Sequence, residues 1–176
     1  MPTVRRSRTI AASPEELWEV IRDPHHLPRW WPRVTRVEDV EDGAFTEVMR
    51  TRKGKLVRAD FRVACEEAEP APERTLIWEQ LLEGTPFERV LRSAATQVWL
   101  APAQTDAWPP RNHEEAGGQL PAVTVVSIEL RQEMAGYSQS SGLFMGFSAR
   151  FGSPMVRRAA RATIDEALDG LERIGG

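Results

Sequence analysis

The sequence predicts an α+β fold in which one long helix near the C-terminus lies on an antiparallel sheet. Three observations carry this. From Pro154 onwards, Val156, Ala160, Thr163, Ala167, Leu171 and Ile174 recur at steps of three and four, and Ile164 and Leu168 widen the same apolar stripe. Between Val34 and Gln132, successive stretches alternate with period two and are parted by turn residues. Near the start, Ser13-Pro14-Glu15-Glu16 has the grammar of a helix N-terminus. A one-sided helix about 30 Å long needs a broad apolar surface beneath it, and here that surface is a sheet.

Taken in order, Val4 to Ala12 alternates as a strand whose charge suits an edge. Ser13 caps the helix that follows, Pro14 takes its first position, and Leu17, Val20 and Ile21 form its buried face. Asp23-Pro24 ends it and begins a second short helix carrying His25, His26 and Leu27. Pro28 and Pro32 bracket Arg29-Trp30-Trp31. Strands are expected over Val34–Val40, Ala44–Arg52 and Lys55–Glu66, with turns at Glu41-Asp42-Gly43 and Lys53-Gly54. Further strands are expected over Thr75–Leu82, Phe87–Leu100 and Ala122–Gln132. Proline-rich and largely polar, Ala101–Pro121 reads as an exposed loop insertion. Leu143, Phe144, Met145 and Phe147 suggest a short apolar helical turn. Ser153 before Pro154 is a start signal for the long helix, and Gly175-Gly176 ends it.

A chain of 176 residues suits one domain, 1–176, with a sizeable core. Charged residues at 28% and a net charge of -3 give no general attraction to nucleic acid or anionic lipid. One cysteine, Cys65, excludes an internal disulfide and a cysteine metal cluster. Met1 to Ala12 lacks the apolar core of a secretory signal, and no run approaches a membrane span. The expectation is a cytoplasmic protein without integral membrane association, nucleic-acid partner or cofactor.

The opening Thr9-Ile10-Ala11-Ala12-Ser13-Pro14-Glu15-Glu16-Leu17-Trp18 resembles the START-like, Bet v 1-like (SRPBCC) superfamily. So do Asp23-Pro24-His25-His26-Leu27-Pro28-Arg29-Trp30-Trp31-Pro32, Arg74-Thr75-Leu76-Ile77-Trp78, Trp99-Leu100-Ala101-Pro102 and the terminal helix. Within that superfamily the polyketide cyclase/dehydrase branch is the nearer match. The resemblance covers nearly the whole chain and implies a helix-grip fold. In that fold a curved seven-stranded antiparallel sheet wraps around a long C-terminal helix, two short helices follow strand 1, and an apolar cavity lies between sheet and helix. Ala101–Pro121 departs from the short turn usual there.

For the cavity, Trp30 and Trp31 are expected near its mouth as an aromatic wall for a flat ligand, with contact through one of the pair more than both; the competing reading is that one of them plugs the space under the short helix. Phe61, with Val57, Ala59 and Val63, is expected on the concave face, where core and cavity wall coincide, and Trp78 follows on the next strand. Strand 87–100 can be phased two ways. The phase Val90, Arg92, Ala94, Thr96, Val98, Leu100 is the more apolar towards its end, and a buried Arg92 would need a partner or a ligand acid. Phe144 and Phe147 are expected at one cavity end. His25, His26, His113 and Tyr137 lack the surroundings of metal or acid–base sites and read as exposed. No nucleophile, phosphate-loop or dinucleotide motif is present, and no catalytic residue can be assigned. The leading expectation is binding of a hydrophobic or aromatic small molecule, lipid- or polyketide-like. The alternatives are a polyketide aromatase/cyclase, which needs a deep pocket with an Arg, His, Tyr or acid at its base, and a protein-interaction module, which a closed cavity and an apolar exposed patch would favour. The oligomeric state is not legible.

Overall fold

A computed structural model describes residues 3–51, 53–68, 73–103, 122–135 and 152–175. The strands are β1 (Thr3–Ile10), β2 (Val34–Glu41), β3 (Ala44–Arg50), β4 (Leu56–Glu67), β5 (Arg74–Leu81), β6 (Leu91–Pro102) and β7 (Thr124–Met134). They form one antiparallel sheet in the order β1-β7-β6-β5-β4-β3-β2. The helices are α1 (Pro14–Ile21), α2 (Leu27–Trp30) and α3 (Gly152–Gly175), with 3-10 turns at Pro24–His26 and Pro86–Arg89. The curved sheet grips α3 as expected. The expected segment around Phe144 and Phe147, together with His113, Tyr137 and most of the expected loop, lies outside the described residues.

Local chemistry explains the elements. At α1 the Ser13 hydroxyl accepts from the Glu16 backbone N–H, while the Glu16 carboxylate accepts from the Ser13 N–H at 2.9 Å, a complete capping box. Between β2 and β3, Asp42 and Gly43 both have positive φ, at 47° and 75°, the backbone a two-residue hairpin turn needs for its twist to match the strands.

Several boundaries differ from expectation by one or two residues, and three differences bear on the site. Helix α3 begins at Gly152, ahead of the expected Ser153 cap. Ala101 and Pro102 belong to β6, paired with Val125 and Thr124, and not to a loop. The expected strand from Phe87 is broken: Thr85 caps a 3-10 turn by accepting the Phe87 N–H, and Pro86 sits in its first turn.

Register sorts the side chains. Phe45, Glu47 and Met49 of β3 stand opposite Phe61, Ala59 and Val57 of β4. Leu76 and Trp78 of β5 stand opposite Val98 and Thr96 of β6, which stand opposite Ile128 and Leu130 of β7. This face carries the core, closed by Ile164, Ala167, Leu168 and Leu171 of α3, all at most 1% exposed. At the β1 edge, Arg8 of the strand donates to Asp169 and Glu172 of the helix, and Arg6 lies 3.7 Å from Asp165.

Candidate functional site: a hollow beneath the long helix

The first half of α3 does not seal against the sheet. Between them lies a hollow of about 390 Å³, within the range of small-molecule sites. Its aromatic walls are Trp31 after α2, Phe61 of β4, Trp78 of β5 and Phe87 of the 3-10 turn. Met49, Leu91 and Leu130 add aliphatic surface. The roof, Val156, Ala159, Ala160 and Thr163 of α3, is built of small side chains, as is Ala94 on the floor. These small residues are why space remains.

The tryptophans form one cluster. Trp30 and Trp31 meet edge to face with centroids 5.3 Å apart, and Trp78 lies 6.5 Å from the first and 5.7 Å from the second. Such pairs add stability beyond the area they bury. Only Trp31 of the adjacent pair borders the hollow. Trp30, 2% exposed, is the last residue of α2, and its backbone lies against Gly170 of α3.

Phe61 and Trp78 are walls. Val57, Ala59 and Val63 share the face of Phe61 by register but do not border the hollow; Ala59 is core, at 1% exposed. Arg92 needs a correction. Its side chain is 68% exposed and 3.6 Å from Glu133. A register shift between Leu91 and Ser93 displaces it from the phase of Ala94, Thr96 and Val98, and brings Leu91 inward instead. It lines a wider depression of about 650 Å³ with Glu79, Glu83 and Arg131, which shares Gln80, Ala94 and Ala95 with the hollow.

The residue that sequence reasoning missed is Glu47. It is 1% exposed, with apolar Phe45 and Met49 on either side along β3 and Ala59 opposite. It borders the hollow, and its Oε1 has no hydrogen-bond partner among the described residues. Burial pushes its carboxyl up to about 8, so it holds its proton at neutral pH. Among the described residues, the other polar groups on the walls are Gln80, Thr96, Gln132 and Thr163, none of them charged. Among the described residues, the hollow therefore pairs aromatic walls with one neutral acid, which can donate a hydrogen bond or a proton.

Comparison with known proteins agrees with this fold. Residues 1–174 match the family model described as polyketide cyclase / dehydrase and lipid transport. The chain belongs to that family. No curated protein matches the sequence. Among solved structures, the polyketide cyclase/dehydrase fold recurs in a START superfamily protein from Mycobacterium smegmatis. That protein is 14% identical, with TM-score 0.63 over 98% of this chain and 96% of the other. The protein XoxI from Bacillus cereus gives 15% identity and TM-score 0.61 over 99% and 96%. The di-domain ARO/CYC StfQ from the steffimycin biosynthetic pathway gives 12% identity and TM-score 0.65 over 98% of this chain and 50% of that one. At these identities the likeness is one of fold. No helix among the described residues is long and apolar enough to cross a membrane.

Proposed function

We propose that the protein binds a flat, mostly apolar small molecule in the hollow beneath α3. The observation that carries this reading is the hollow itself, about 390 Å³ of space walled by Trp31, Phe61, Trp78 and Phe87. A core of this size normally closes on itself, and voids larger than a water molecule are few. Membership of a family described by polyketide cyclases and lipid transport supports the same reading. The protein-interaction alternative called for a closed cavity and has less support.

The test is to fill the space. Ala94→Phe should keep the far-ultraviolet circular dichroism of the wild type and weaken binding of naphthalene, followed by tryptophan fluorescence, by at least about tenfold. Undiminished binding by the folded variant would place the ligand elsewhere.

One observation favours a second reading, an aromatase/cyclase that folds and dehydrates a poly-β-ketone. Glu47 supplies an acid on the wall of the hollow, the group such proton transfers require. Turnover of a poly-β-ketone, lost in Glu47→Gln while binding persists, would decide for it. Absence of turnover with Glu47 intact would decide against it.

A further inference from the structure

Glu47 points beyond a generic apolar site. Its carboxyl lies on the wall of the hollow, with an oxygen fully buried and unpartnered among the described residues. Buried polar groups in folded proteins find partners, and each exception needs a reason. Among the described residues, none that borders the hollow offers a compensating charge to an ionised carboxylate in this place. On β4, Arg58 is turned to Glu38 and Asp39 of β2, and Asp60 accepts from the Thr46 hydroxyl. On α3, Asp165, Asp169 and Glu172 meet Arg6 and Arg8 at the far edge of the sheet. From β5, β6 and β7 the hollow receives Gln80, Thr96 and Gln132, and from α2 only the indole of Trp31. No other titratable or charged side chain borders it among the described residues.

We infer that Glu47, as a neutral carboxylic acid, is the polar anchor of the hollow, donating its O–H to an uncharged acceptor oxygen of the ligand. The ligand class is then an aromatic or apolar molecule bearing a ketone-type oxygen, and carboxylates are rejected. This rests on the binding reading above and adds the ligand's polar chemistry to it. A ketone satisfies the buried O–H without introducing charge. A carboxylate ligand would bring its own unpaired charge against a buried acid among apolar walls. When Glu47 ionises, its donor is lost and two acceptors face one another.

Three probes of one shape test the idea: 2-acetylnaphthalene, naphthalene and 2-naphthoate, titrated against the full chain at about pH 6 and about pH 10, either side of the anchor's titration. At the lower pH the ketone should bind about tenfold more tightly than naphthalene, and the naphthoate at least about tenfold more weakly than the ketone. At the higher pH the ketone's advantage should largely vanish. Glu47→Gln, whose amide N–H still donates, should keep the advantage at both pH values. Glu47→Leu should lose it and still bind naphthalene. A ketone advantage that survives in Glu47→Leu, or naphthoate bound as tightly as the ketone, would overturn the assignment. If all three probes bind alike, the hollow remains a binding site and only the role of Glu47 falls. If none binds, the binding reading falls first.

Discussion

At the scale of the residue, Glu47 makes stability depend on pH in an uncommon direction. Its carboxyl titrates near 8 when folded and near the ordinary glutamate value of 4.5 when unfolded. Between those values the native state holds the proton and the unfolded chain does not, so stability falls as pH rises through this window and levels off above it. At about 1.4 kcal/mol per unit, the loss is on the order of 4 kcal/mol from about pH 5 to about pH 9. Glu16, hydrogen-bonded by the Ser13 N–H, and Glu38, bonded by Arg36, are held below their usual range. Their stabilisation is lost only as pH drops below the ordinary carboxylate range, beneath the window of Glu47. Urea midpoints should therefore decline from about pH 5 to about pH 9 in the wild type and stay nearly level in Glu47→Gln. Equal slopes in the two proteins would show that Glu47 titrates normally. The sequence hid this residue for a physical reason. Thr46 and Val48, its neighbours on the opposite face of β3, are buried as well, so the strand lacks the wet–dry alternation that marks an inward charge. The available signal was that Glu47 shares a side with Phe45 and Met49.

At the scale of the element, legibility followed the strength of the local grammar. The long helix could be read because its stripe repeats over many turns, and α1 because its capping box is complete. The break before β6 was equally written in the chain. Thr85-Pro86 is the same cap-and-proline start as Ser13-Pro14, but the alternation that follows it suggested a strand. The bulge at Arg92 left no comparable mark, which is why its burial was misjudged. Close approach of two elements is likewise invisible in sequence. Gly170 of α3 lies against α2, where an added Cβ would stand 2.4 Å from the Trp30 carbonyl oxygen and 2.7 Å from its Cα. In a free helix alanine would be favoured over glycine by about 1 kcal/mol. Here the obstacle is backbone, which cannot rotate away, and α3 would have to lift from the tryptophan cluster. Gly170→Ala should cost about 2 kcal/mol or more in urea unfolding. A variant as stable as the wild type would mean that the two helices are not held this close.

At the scale of the whole molecule, the order of elements and the family pattern sufficed for the helix-grip fold, because hairpin-linked strands with a terminal amphipathic helix have few ways to bury their apolar faces. That the space under α3 stays open was not legible. It depends on small residues, Ala94 of the sheet and Ala159 and Ala160 of the helix, lining the same space, a coincidence of register and helix rotation rather than of sequence spacing. The same core that leaves this space also ties the ends together. One cluster of buried residues runs from Val4 and Ile10 of β1 through Leu17, Trp30 and Trp78 to Ile164 and Leu171 of α3. β1 closes the sheet by pairing with β7, far away in the chain, and α3 pins that edge through Arg8. No element with a share in this cluster can leave without exposing the others. Unfolding in urea should therefore be a single step, with the tryptophan fluorescence of the Trp30–Trp31–Trp78 cluster and the far-ultraviolet dichroism of the sheet passing through one midpoint. The opposite expectation is definite. If α2 and α3 were a separable cover over an independently stable sheet, the fluorescence would change at lower urea than the dichroism, and the hollow would be a gap between two loosely joined parts rather than a cavity within one core.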